Sequence, residues 1–170
     1  MSQIFQKIIE LIIYILPAYV ANGAPVIFGG GKPLDFGKNF IDGKRIFGDH
    51  KTIRGLTSGI LAGTLIGFII FVLNAGDITI IYRALVLSLG THAGDLFGSF
   101  LKRRLDIASG ESAPVLDQLG FLYFALLFAY IFCGDIFSIL DIAILTAITL
   151  VLHPLTNIGA YILKMKKKPY

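Results

Sequence analysis

The sequence predicts an all-α, polytopic integral membrane protein with five transmembrane helices. It places the N-terminus outside, the C-terminus in the cytoplasm, and a long cytoplasmic loop after the first helix. Three observations lead there. The chain has 170 residues, of which 55% are hydrophobic and only 15% charged, and its mean hydropathy is +0.78. Soluble domains carry about 25% charge, so the bilayer is the natural solvent for the apolar excess. Uncharged windows at 11–31, 55–76, 118–134 and 142–163, with a fifth at 78–101 broken by Arg83 and Asp95, come next. Each approaches the roughly 20 residues needed to cross about 30 Å of hydrocarbon. Last, Lys and Arg gather at 32–54, 102–104 and 164–168, six, three and four residues respectively, with two spans between consecutive clusters. Five spans put all three clusters on one face, the cytoplasmic one; four or six would scatter them.

The elements follow in order. The first span, near 5–26, is too long and too lightly flanked for a cleaved signal peptide. The loop after it is rich in glycine and holds Pro25 and Pro33, which keeps it out of regular helix. Its Phe, Ile and Leu residues argue against disorder. The second span, near 55–74, repeats Gly59, Gly63 and Gly67, a pattern that suits either a groove for lipid tails or close helix packing. The third span, near 78–101, carries a polar stripe, and the fourth and fifth lie near 114–133 and 142–163. Cys133 is the one cysteine, so no disulfide forms within the chain. The whole of 1–170 reads as one domain. The net charge of +4 reads as topology signals beside anionic headgroups, not as a nucleic-acid surface.

Two segments carry chemistry. The run Gly48-Asp49-His50-Lys51-Thr52-Ile53-Arg54-Gly55 opens the second span. Lys51, Thr52 and Arg54 thus stand at a helix start, where free amides and the dipole favour phosphate. The same residues would also serve as membrane anchors with a threonine cap. On the third span, Ser88, His92, Asp95, Ser99, Lys102 and Asp106 share one face at helical spacing. Ionisable residues inside a span mark a functional site or an internal pair. Asp117, at the start of the fourth span, is placed to face Asp95. Two carboxylates and the Ser99 hydroxyl make a hard-oxygen site suited to Mg²⁺ together with substrate phosphates. The competing reading pairs Asp95 with Lys102 or Arg103 as a structural bridge, and treats His92 as a packing residue.

Taken together the segments resemble the CDP-diacylglycerol synthases, the membrane cytidylyltransferases. The matching residues are Gly94-Asp95, Ser99, Lys102-Arg103, Pro114 and Asp117, with Lys51-Thr52-Ile53-Arg54-Gly55 upstream. Bacterial members have an acidic residue at the position of Arg54 and a longer segment before the last Asp. The short five-span form, with ANGAPVIFGGGKPLDFG after the first span and GDHKTIRG before the second, is similar to the archaeal CDP-archaeol synthases. That resemblance implies transfer of CMP from CTP to an isoprenoid glycerol phosphate lipid, with release of pyrophosphate and a requirement for Mg²⁺. It implies Asp95, Asp117 and Ser99 around the metal, and Lys102 and Arg103 as catalytic cations. His50, Lys51, Thr52 and Arg54 would serve the nucleotide phosphates, and Asn22 and Gly23, at the end of the first span, the nucleoside. The site would open to the cytoplasm from the cell membrane. The alternatives are a CDP-diacylglycerol synthase acting on phosphatidic acid, or a small non-catalytic transporter. A transporter would continue its polar path through the spans to the outer face, where the third span carries Arg83 and the first an isolated Glu10.

Overall fold

A computed structural model describes residues 3–74 and 77–166. It contains α1 (Gln3–Phe28), α2 (Ile53–Leu73), α3 (Thr79–Arg104), α4 (Pro114–Phe128) and α5 (Ile139–Ile162). A π-helical turn, Ala129–Cys133, continues α4 and ends at Gly134, whose φ of 72° closes the helix. Counting that turn with α4, all five segments are long and apolar enough to cross a membrane. Among the described residues there is no named strand. The expected spans are all present, with shifted ends. α1 runs on to Phe28 through Pro17 and Pro25, because membrane helices tolerate proline where neighbours satisfy the freed backbone groups. α3 runs on to Arg104, and Lys102, Arg103 and Arg104 in its last turn suit the negative end of its dipole.

The helix starts follow from local chemistry. Thr52 is extended and its hydroxyl accepts from the Gly55 amide, so it caps α2 as the sequence allowed. Ser138 and Asp141 form a capping box at the start of α5, and Lys7 from α1 reaches Asp141 at 2.7 Å.

α3 is the central helix and packs through small residues. A methyl group on Gly59 would overlap His92 Nε2 and the Ala21 carbonyl, and one on Gly63 would overlap Ser88 Oγ and the Pro17 carbonyl. The glycine face of α2 is therefore filled by α1 and α3, and is not a groove for lipid tails. On the other side of α3, Gly90 and Gly94 press against the Phe124 and Gly120 carbonyls of α4. Ile15, Leu87, Leu122 and Leu145 fill the centre, fully buried. Leu61, Leu65, Phe68 and Val72 on α2, and Val151 and Leu155 on α5, face outward, as lipid-facing residues must.

The end of the bundle away from the loops holds a polar cluster that the sequence reading missed. Arg83 is not a lone charge: it pairs with Asp135 at 2.8 Å, and Tyr14 donates to the same carboxylate at 2.6 Å. The other end gathers both polar loops. The first loop is folded around Asp35, which is buried and accepts from Arg45 at 2.7 Å and from the Phe47, Gly48 and Gly37 amides. Burial pushes the Asp35 carboxyl up, but Arg45 and those amides outweigh it and hold the group well below the ordinary carboxylate range. Arg104 ties this loop to the end of α3, pairing with Asp42 at 2.7 Å and donating to the Arg45 carbonyl at 2.6 Å. Asp106 departs from the expected stripe. It lies beyond the end of α3 at a φ of 60° and pairs with Lys44 at 2.6 Å in the open.

Candidate active site

Two lysine–carboxylate pairs form the centre of the loop end. Lys51, one residue ahead of the α2 cap, reaches across to α3 and donates to both Asp95 oxygens, at 2.5 and 2.6 Å. Lys102, in the last turn of α3, donates to both Asp117 oxygens on α4, at 2.7 and 3.1 Å, and to the Glu111 carbonyl at 3.0 Å. The Ala113 amide donates to Asp117 at 2.8 Å. Asp117 stands in the first turn of α4, which opens with Pro114 at its start; there a carboxylate suits the positive helix end.

The two pairs share electrostatic neighbours. His153 of α5 lies within electrostatic reach of both Asp95 and Asp117. Lys166, just past α5, lies within reach of Asp117, Lys51 and Lys102. Burial pushes the Lys166 ammonium down, with Lys51 and Lys102 acting the same way and Asp117 opposing them. Lys166 also donates to Asn157 at 3.0 Å, and His153 stacks on Phe121 with ring centres 5.9 Å apart. Ser99 is buried on α3, one turn beyond Asp95.

The remaining candidates are spread around this centre. Thr52 is buried as the helix cap, and the Ile53 amide already donates to the Lys32 carbonyl at 3.1 Å. The start of α2 thus offers fewer free amides than its sequence suggests, while Arg54 is exposed in the first turn. His50 sits against the second loop, where a methyl on Gly110 would come within 2.7 Å of its Nε2. Arg103 turns away from Lys102, and its Nη2 donates to the Ala108 carbonyl at 3.0 Å. Asn22 and Gly23 lie inside α1, not at its end, because the helix continues to Phe28. Asn22 is half-buried and Gly23 exposed, and a methyl on Gly23 would meet nothing within 4 Å.

Neither structural bridge weighed for Asp95 is the one formed. Its partner is Lys51, not Lys102 or Arg103. His92 is a packing residue whose Nε2, pressed against Gly59, has no hydrogen-bond partner among the described residues. His153 and Lys166 were not singled out from the sequence. A histidine inside an uncharged window and one lysine of a basic tail carry no signal in their spacing.

The donor set fits Mg²⁺. Among the described residues no group of three or more His, Cys, Asp or Glu side chains converges on one point, and Asp95 and Asp117 stand in two separate lysine pairs. Mg²⁺ binds through one or two carboxylates, with phosphate oxygens and water completing its shell. Both carboxylates are about one-third exposed, and each holds an ammonium group.

A bundle of apolar, membrane-length helices with paired Lys and Asp at its loop end defines an integral membrane protein with a charged site at one end. Comparison with known proteins gives the family. A family model described as "CarS-like: CDP-archaeol synthase" matches residues 4–170, and the chain belongs to that family. A CDP-archaeol synthase of Pyrococcus abyssi is 46% identical over 171 residues, covering 96% of this chain and 98% of the relative. One from Methanocaldococcus jannaschii is 47% identical over 164 residues, covering 90% and 92%. A solved structure, described as an intramembrane enzyme for archaeal membrane lipids biosynthesis, superposes with a TM-score of 0.82 at 42% identity. It covers 89% of this chain and 94% of that one. The chain is accordingly a multi-pass membrane enzyme of the cytidylyltransferase type.

Proposed function

We propose that this enzyme transfers CMP from CTP to an isoprenoid ether lipid phosphate, 2,3-bis-O-geranylgeranylglycerol 1-phosphate, releasing pyrophosphate. The observation that carries the reading is the pair of carboxylates, Asp95 and Asp117, each clamped by a lysine at the loop end of an apolar bundle. A CDP-archaeol synthase must bring a soluble, highly charged nucleotide to a lipid headgroup, and the charged loop end of an apolar bundle suits that meeting.

A phosphate oxygen of the lipid attacks the α-phosphorus of CTP in line. A new O–P bond forms as the bond from the α-phosphorus to the bridging oxygen of the β-phosphate breaks, and pyrophosphate carries away that electron pair. The acceptor is already an anion, so no protein nucleophile or general base is needed. Catalysis is then positioning and charge neutralisation. Asp95 and Asp117, with Ser99 beside them, would hold Mg²⁺, which when bound supplies Lewis-acid stabilisation of charge on the triphosphate. Lys51 and Lys102 keep the carboxylates in place in the free enzyme and serve phosphate oxygens in the loaded one. Arg54 and His50 approach the nucleotide from the first loop. Asn22, beside the open space at Gly23, faces the nucleoside. The whole chain acts as one unit in the cell membrane, with the loop end toward the cytoplasm by its Lys and Arg.

The test is turnover of labelled CTP by purified protein with Mg²⁺ and two acceptors, the ether-linked isoprenoid phosphate and an ester-linked phosphatidic acid. Labelled lipid should form with the ether acceptor. Labelling of phosphatidic acid alone would move the assignment to a CDP-diacylglycerol synthase, and no labelling of either would end the reading.

A further inference from the structure

We propose that the first loop carries a membrane-surface contact of its own: a short hairpin over residues 38–46 sets Ile41 into the headgroup boundary of the bilayer, beside the loop end of α3. This contact depends on the depth of α3 and not on the reaction that the Lys–Asp pairs serve.

The hairpin follows from local rules. The Phe40 amide donates to the Lys44 carbonyl at 2.7 Å, and the Ile46 amide to the Lys38 carbonyl at 3.2 Å. The Gly43 amide donates to the Phe40 carbonyl at 3.0 Å and closes the turn Phe40-Ile41-Asp42-Gly43. Gly43 leaves that turn at a φ of 76°, which glycine adopts freely. Asp42 is used twice. Its Oδ1 accepts from the Lys44 amide at 3.1 Å, and its Oδ2 pairs with Arg104 at 2.7 Å. Polar residues and glycine dominate turns in water. The tip of this one is isoleucine, 94% exposed, and no other large hydrophobic residue among the described ones is as open. A single exposed apolar residue means little by itself; where this one stands gives it meaning.

α3 fixes that place. Phe40 meets Phe100 edge-on, with ring centres 5.2 Å apart. The Arg104 guanidinium lies over both rings, 5.3 Å from the centre of Phe40 and 4.4 Å from that of Phe100. Phe100 is one turn inside the membrane-length helix Thr79–Arg104, about 6 Å from its end at roughly 1.5 Å per residue. Phe97, nearly one turn deeper on the same side of the helix, is exposed and faces lipid. The hairpin therefore lies on the outer, lipid-facing side of the bundle, where acyl chains give way to headgroups. Leu105, exposed just beyond Arg104, extends the same apolar surface. Lys38 and Lys44 flank the tip in sequence, and cations beside an inserted apolar residue suit anionic headgroups. An apolar tip with basic flanks, clamped at interfacial depth by Arg104, takes the lipid surface itself as its partner.

The chain has no tryptophan, so one introduced indole reports alone. The full chain carrying Ile41→Trp is placed in vesicles of phosphatidylcholine and phosphatidylglycerol, with or without bromine near the top of the phosphatidylcholine chains. Ala108→Trp, at an exposed position of the second loop, is the control. The Ile41→Trp emission should lie to the blue of the control, fall in brominated lipid and resist aqueous acrylamide, while the control should do the reverse. A second variant removes the indole's own preference for interfaces: Ile41→Cys in a Cys133→Ala background, labelled with a nitroxide. Oxygen should relax that label more than a water-soluble nickel chelate does. Emission from Ile41→Trp that matches the control, or a label relaxed mainly by the nickel chelate, would overturn the contact. A blue-shifted Ile41→Trp untouched by bromine would also overturn it, because a second copy of the chain, and not lipid, would then cover the tip.

Discussion

Asp95 and Asp117 each meet an ammonium group through both carboxylate oxygens, and that symmetry explains why each lysine matters. A charge-assisted contact of this kind is worth about 1.5–3 kcal/mol. Lys51→Met should therefore raise the KM for CTP or lower kcat by about 10- to 100-fold. Steady-state kinetics of the folded variant measure it, and unchanged constants would remove Lys51 from the site. The two acidic residues were legible in the sequence because charge inside a span is costly. Their partners were not. Seven residues separate Asp95 from Lys102, two turns along one helix face, which made that pair plausible. The structure instead sends Lys102 across to the first turn of α4 and brings Lys51 to Asp95 from a loop 44 residues away. Only the folded path of the first loop decides between those pairings, and no periodicity encodes it.

The elements show the same division. Helical spans are written in hydropathy, so all five could be read, while their ends depended on caps such as Thr52 and on prolines absorbed inside α1. The glycines of α2 left two readings open until the opposing atoms were known. Gly63→Val should cost about 1–3 kcal/mol through overlap with Ser88 and the Pro17 carbonyl. It should appear as a lower unfolding temperature in detergent; an unchanged temperature would mean that the three helices are not so closely packed. The first loop depends on Asp35, whose folded-state carboxyl lies below its ordinary value near 3.8. A depressed value contributes stability above about pH 4 that is lost as pH falls toward the folded value. Limited proteolysis of the first loop should accelerate below about pH 4 in the wild type. Asp35→Asn should make the loop labile at neutral pH and flatten that dependence. A variant as resistant as the wild type at neutral pH would show that Asp35 does not organise the loop.

At the scale of the whole molecule, the first two basic clusters and Lys166 of the third meet at one end of the bundle, because two spans return the chain to the same side each time. The sequence could not show that the opposite end is also polar inside, since Arg83, Asp135 and Tyr14 lie far apart in the chain. The side of the membrane is testable in a Cys133→Ala background. In sealed right-side-out vesicles, Ser112→Cys should resist a membrane-impermeant thiol reagent until permeabilisation, while Ile136→Cys, at the exposed opposite end, should react at once. The reverse pattern would place the loop end outside. The most direct measurement is transfer of labelled CMP from CTP to the ether-linked isoprenoid phosphate by wild type, Asp95→Asn and Asp117→Asn with Mg²⁺ present. The wild type should form labelled lipid, and each variant, folded in detergent, should lose at least roughly 100-fold in kcat. Near-normal turnover by both variants would contradict a reaction built on these two carboxylates.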